Sequence, residues 1–265
     1  MDRREFVRAG LAAGALGPSA FVDRADRGAD DDRHFYELRV YEMRSDIAPG
    51  RTRDFFRDQL LPALQRAGAG PVGVFTPEAG LLGQSLVLLI DYKTAADALA
   101  VPQRLEADQG FVAARSALES DARMPYVRYE SRLMRAFANH RSIEVPPATT
   151  GRPARLFELR TYESRNAATL AQKIDMFNQA EIALFRSIGM TPVFFGENLF
   201  ATRLPSLTYM LTFDDMAART QAWRTFGSHP EWKRISSDPR WSAEGGVTTV
   251  TSAVFLNPLP FSQLR

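Results

Sequence analysis

The chain has 265 residues, 45% of them hydrophobic, and sets 33 Lys and Arg against 31 Asp and Glu for a net charge of +2 with no cysteine. That balance argues against a basic nucleic-acid-binding face, and the lack of thiols excludes disulfides and cysteine nucleophiles. The apolar fraction suffices for packed cores, and the length has room for two domains of roughly 100–200 residues each.

The chain begins with Asp2-Arg3-Arg4-Glu5-Phe6-Val7-Arg8, which resembles a twin-arginine export motif, followed by a small apolar stretch from Ala9 to Val22. A membrane span needs about 20 strongly apolar residues, so this segment reads as a signal-peptide core rather than an anchor. The Asp- and Arg-rich residues that follow read as a solvated spacer. The expectation is a signal and spacer over 1–33, export by the twin-arginine route to a periplasmic or extracellular site, and no stable membrane span.

The first strand is predicted near 35–43. It carries Glu37-Leu38-Arg39-Val40-Tyr41-Glu42, and the same pattern returns as Glu158-Leu159-Arg160-Thr161-Tyr162-Glu163, 121 residues later. The offset also matches Phe56 with Phe177, Gly68 with Gly189, Pro71 with Pro192, Leu86 with Leu207 and Ser131 with Ser252. A domain-sized period of this kind is a tandem duplication. After each first strand comes an apolar stripe at helical spacing: Phe56, Leu60 and Leu64, then Leu170, Ile174, Phe177, Leu184 and Ile188. Pro62 is expected to kink or delay the first of these helices, and Gly68 and Gly189 stand where a helix ends on a left-handed residue. Second strands begin at Pro71 and Pro192, third strands span Leu86–Tyr92 and Leu207–Phe213, and two helical stretches follow in each copy. Last strands span Tyr126–Met134 and Val247–Leu256.

The order βαββαβ, twice, predicts an α+β chain of two ferredoxin-like repeats over 34–137 and 156–265, joined by a Pro- and Thr-containing linker over 138–155. Packed sheet-to-sheet, the repeats form an intramolecular pseudo-dimer, and further oligomerisation through unused edges is allowed. Strand alternation puts Tyr36, Leu38 and Val40 on one face and Glu37, Arg39 and Tyr41 on the other. The apolar face is expected to meet the helices, which leaves Glu37, Arg39, Tyr41, Glu158, Arg160 and Tyr162 between the two sheets. There they either pair with one another as structural cement or line a polar pocket for an anionic or carbonyl-bearing small molecule.

The E-L-R-x-Y-E strands, the turn His229-Pro230-Glu231-Trp232 and the closing Asn257-Pro258-Leu259-Pro260-Phe261-Ser262 together resemble the NIPSNAP family, the second repeat more closely than the first. The resemblance implies a dimeric α+β barrel fold. It implies no reaction and supplies no catalytic residues. The wider superfamily includes cofactor-free monooxygenases, haem-dependent chlorite dismutases and other small-molecule-degrading enzymes, which is an analogy of fold alone. No catalytic residue is assigned. His34, His140 and His229 have no metal-ligand spacing, so neither a metal nor a cofactor is expected. His229 reads as a helix cap or a packing partner of Trp232, and is kept as a ligand-binding candidate. Glu197-Asn198 reads as a polar turn at which a pocket rim could lie. The expected role is small-molecule binding. A cofactor-free oxygenase or isomerase and a protein-interaction module are the alternatives.

Overall fold

The computed structural model describes residues 32–46, 49–79, 84–120, 124–147, 154–242 and 246–265. The proposed export segment lies outside them. Among the described residues, no helix is long and apolar enough to cross a membrane.

Residues 32–265 form one compact unit. The first repeat contributes β1 (Phe35–Met43), α1 (Gly50–Phe55), α2 (Leu61–Arg66), β2 (Val72–Ala79), β3 (Ser85–Tyr92), α3 (Ala95–Ala107), α4 (Gln109–Glu119) and β4 (Tyr126–Ala136). The second contributes β5 (Leu156–Glu163), α5 (Ala167–Met176), α6 (Ile182–Ser187), β6 (Thr191–Phe200), β7 (Ser206–Phe213), α7 (Met216–Ser228), α8 (Pro230–Ser236) and β8 (Val250–Pro258). The strands close into one antiparallel barrel in the order β1-β3-β2-β8-β5-β7-β6-β4. Each repeat supplies four adjacent strands, and the seams are β2 with β8 and β4 with β6. A closed barrel leaves no free sheet edge.

One turn of π-helix, Phe56–Leu60, joins α1 to α2, and another, Phe177–Glu181, joins α5 to α6. The second copy has Ala183 where the first has Pro62, so the proline does not cause the irregularity. Gly68 and Gly189 end these helices at φ +93° and +81°, as the sequence predicts. The 121-residue offset holds through β7. Leu38 pairs with Leu89 and Arg132, while Leu159 pairs with Met210 and Val254, so the last strands are related by 122 residues. The structural equivalent of Ser131 is therefore Ala253.

The expected orientation of the faces is reversed. Tyr36, Leu38, Phe157 and Leu159 point into the barrel with Phe75, Val87, Phe194, Met210 and Leu256. Tyr41 instead packs with Phe56, Leu60 and Phe111 under the first repeat's helices, and Tyr162 packs against the equivalent helix layer of the second. The Glu-Arg-Tyr face is covered by helices, not by the opposite sheet. The physical reason is that both faces of a closed, helix-coated barrel are buried. The more uniformly apolar face goes to the interior, where side chains from eight strands converge, while the polar face meets helices that carry their own partners. Every residue of β3 and of β7 is buried, as double coverage requires.

Inside the barrel the two copies use opposite sizes at matched positions. Gly73 and Phe75 in β2 correspond to Phe194 and Gly196 in β6. A Cβ at Gly73 would lie 2.5 Å from the Phe75 ring, and one at Gly196 would lie 2.8 Å from the Met134 Cβ. Large and small side chains thus interdigitate across the pseudo-two-fold. Ile143 from the linker and Leu264 near the C-terminus join this interior cluster. They are tied to the starts of β6 and β2, where the Glu144 N–H donates to the Val193 carbonyl and the Gln263 N–H to the Val72 carbonyl. These two side chains close one end of the barrel.

Candidate functional site

Sequence reasoning placed seven residues at the site, and the structure separates them into three places. Glu37, Arg39 and Tyr41 lie under the helices of the first repeat, and Glu158, Arg160 and Tyr162 under those of the second. His229 is the N-cap of α8, where its Nδ1 accepts from the Glu231 N–H at 3.1 Å. A single pocket holding Arg39 and Arg160 together does not form, because the two strand faces point outward from the barrel on different repeats.

In the first repeat, Arg39 donates from Nε and Nη2 to both Glu37 oxygens at 2.6 and 2.9 Å, while the Ser131 and Tyr92 hydroxyls donate to the same carboxylate at 2.6 and 2.7 Å. Burial opposes the charge on Glu37, but Arg39 and the two hydroxyls outweigh it and hold the carboxyl below 4.5. Glu158 has different partners. It accepts from Arg160 at 2.7 Å, from Arg219 at 2.7 and 3.0 Å and from the Trp223 indole at 2.7 Å. Burial again opposes the charge, and Arg219, Trp223 and Arg160 together lower its pKa below 4.5. Both glutamates are saturated structural carboxylates.

Depressed carboxylates contribute stability that is present above their unfolded value and lost as pH falls through the folded one. The share of stability carried by Glu37 and Glu158 is therefore constant from about pH 7 to about pH 5 and declines below 4.5. Thermal melts across this range check it. E37Q is expected to lose less of its melting temperature than the wild type between about pH 5 and about pH 3.5.

What distinguishes the repeats is the space above the pair. In the first, a cavity of about 250 Å³ opens between β1 and the helices. Arg39 and Tyr41 form its floor, Phe55, Phe56 and Leu60 one wall, and Pro102, Leu105 and Phe111 the other, while Glu106, Arg115, Glu119, Tyr126 and Tyr129 ring its mouth. Tyr41 stacks on Tyr129 at 5.0 Å and meets Phe56 and Tyr126 edge-on at 5.1 and 5.4 Å. Burial raises the Tyr41 pKa, with Arg39 offsetting part of the rise, so the phenol stays protonated. At the mouth, Arg115 pairs with Glu106, and the Tyr126 hydroxyl donates to Glu119 at 2.6 Å.

In the second repeat this space is occupied. Trp223 stands where the first copy has Pro102, with its indole 4.5 Å from the Arg160 guanidinium. Lys173 and Glu181, at the positions of Thr52 and Leu60, form a buried ion pair, with the ammonium 4.6 Å from the Phe177 ring. Tyr162 is tied to Tyr209, hydroxyl to hydroxyl, at 2.8 Å. Sequence reasoning did not separate the repeats, although the Pro102–Trp223 difference stood in the alignment at the 121-residue offset.

An eight-stranded antiparallel barrel built from two βαββαβ units, with helices outside, defines a dimeric α+β barrel protein whose two halves are one chain. The chain belongs to the NIPSNAP family, whose model matches residues 36–138 and 157–263, once per repeat. Among solved structures, a candidate monooxygenase from Fusobacterium nucleatum is similar at a TM-score of 0.57 and 10% identity, covering 87% of this chain and 94% of its own. One from Lactobacillus acidophilus is similar at a TM-score of 0.55 and 9% identity, covering 85% and 94%. A NIPSNAP family protein from Agrobacterium tumefaciens aligns with 47% of this chain and all of its own at 16% identity and a TM-score of 0.36. At these identities the structural likeness shows the fold alone. Among curated protein sequences, none matches the chain.

Proposed function

We propose that the protein binds a small, flat, carbonyl-bearing aromatic molecule in the cleft of the first repeat. The observation that carries this reading is the difference between the two copies: the same Glu-Arg-Tyr strand lies beneath a cavity in one repeat and beneath Trp223 in the other. The cleft is aromatic on several sides, and its volume is just below the roughly 300–1,000 Å³ of sites for drug-sized ligands, which suits one or two rings. Arg39 is already neutralised by Glu37, so the floor favours a neutral carbonyl oxygen over a full anion. The Tyr41 phenol is a second donor beside it. We place this role outside the cytoplasm on the strength of the Arg3-Arg4 segment of the sequence.

A cofactor-free oxygenase is the second reading, supported by the two barrel neighbours, which are themselves candidate monooxygenases. Such chemistry calls for a base against the substrate, and the buried carboxylate nearest the floor, Glu37, is fully occupied by four donors. Binding is therefore the preferred reading. Calorimetric titration with 1-tetralone tests it. The expected result is saturable binding at one site, with tetralin, which lacks the carbonyl, at least about ten-fold weaker. Absence of saturable binding, or equal affinity for both compounds, would overturn the reading.

A further inference from the structure

The end of the barrel opposite Ile143 and Leu264 holds a second cavity of about 250 Å³, inside the barrel between the strands of the two repeats and separate from the helix-covered cleft. Its lining departs from the pseudo-symmetry of the barrel. On one side stand Arg132, Thr161, Asn198 and Thr208-bonded neighbours; the matching positions on the other side include Val254 for Arg132, Val40 for Thr161 and Val87 for Thr208. The wall from β4 to β7 carries most of the polar groups, with Leu159 among them, and the facing wall is aliphatic except for Ser252.

The polar wall is a connected chain of hydrogen bonds. Arg132 Nη1 donates to the Thr161 hydroxyl at 3.3 Å, the Thr161 and Thr208 hydroxyls meet at 3.1 Å, and the Asn198 amide donates to Thr208 at 3.1 Å and to Ser206 at 2.7 Å. Thr208, Ser206 and Asn198 are buried. Asn198 therefore sits within β6 as part of this network, not in the polar turn expected from the sequence. Among the described residues, Thr161 is the hydrogen-bond acceptor of Arg132, and no carboxylate lies within ion-pair distance of it. Glu130, two residues away on β4, acts on it only through its charge, and burial pulls the guanidinium below the ordinary arginine range. A guanidinium has five N–H donors in a fork that matches a carboxylate. A half-buried one with a single hydroxyl partner, at the edge of a cavity, has donors free for an anionic acceptor.

We propose that the open end of the barrel binds a small monocarboxylate, its carboxylate on Arg132 and its aliphatic body against Val40, Val87 and Val254. A single negative charge suits the site better than a phosphate dianion, because Glu130 also faces the cavity and Arg203 at the rim is already paired with Glu163. Duplication makes such a site possible. In a barrel of two identical subunits, both walls would have to be alike, whereas here each copy has diverged separately.

Calorimetric titration of the full chain with sodium hexanoate and with 1-hexanol tests the proposal. The expected result is one saturable hexanoate site in the wild type, with hexanol at least about ten-fold weaker. R132M is expected to fold, since methionine removes an uncompensated charge, and to bind hexanoate at least about ten-fold less tightly. R132M should bind 1-tetralone as the wild type does, which separates this site from the cleft of the first repeat. No saturable hexanoate binding, equal affinity for hexanol, or unchanged binding in R132M would overturn the proposal. If R132M fails to fold, the comparison of hexanoate with hexanol in the wild type still decides it.

Discussion

Replacing Glu158 with alanine is expected to lower unfolding free energy by about 3–5 kcal/mol, because the change leaves two arginines facing each other without their shared anion. The Glu158 side chain is fully buried, with Arg160 and Arg219 only 14% and 23% exposed. Trp223 loses its acceptor in the same variant, and a buried donor without a partner carries its own desolvation cost. E158Q keeps an acceptor oxygen for part of this network and should lose about half as much. Urea denaturation followed by tryptophan fluorescence measures the difference, since Trp223, Trp232 and Trp241 all lie in the second repeat. A loss below about 1 kcal/mol in E158A would mean that the two arginines find solvent easily and that the carboxylate does not organise this layer.

The second large effect concerns the barrel interior. Phe75 is fully buried and packs against Phe157 of the other repeat with ring centroids 5.0 Å apart. F75A should cost about 3–5 kcal/mol, the range for truncating a buried phenylalanine in a core that cannot fully collapse. The informative readout is again fluorescence. The substitution is in the first repeat and all the tryptophans are in the second, so a shared core predicts that the tryptophan transition moves to lower urea together with the whole-chain circular dichroism transition. Two repeats folding independently would leave the tryptophan transition where it was and split the two curves.

Much of this architecture was readable from Glu37–Glu42 and Glu158–Glu163 together with the ordering of glycines, prolines and apolar runs. The duplication, the βαββαβ order and the caps at Gly68 and Gly189 followed from local patterns, which depend on backbone sterics and strand alternation. The direction of the faces did not. Alternation separates Leu38 from Arg39 but does not say which of them turns inward, and the rule that helices cover the apolar face fails when closure buries both sides. The wholly apolar third strands, Leu86–Tyr92 and Leu207–Phe213, carried the warning, since strands covered on both faces lose their alternation. The Lys173–Glu181 pair and the Arg132 network were out of reach for another reason. Their partners are 8 residues apart across a π-turn in one case and on four different strands in the other, so neither has a spacing signature.

The cleft itself was legible only by comparing the copies with each other. Pro102 lies within α3 where Trp223 lies in α7, and that difference is the main one that leaves space over Arg39 where the space over Arg160 is filled. Transplanting the second copy's residue into the first is therefore the most direct test of the account. P102W restores the backbone N–H that proline lacks inside the helix, so the variant should fold at least as well as the wild type. P102W is expected to weaken 1-tetralone binding by at least about ten-fold, while P102A, which removes the proline without filling the space, should change it by less than about three-fold. Undiminished tetralone binding by folded P102W would contradict it and place the ligand elsewhere on the barrel.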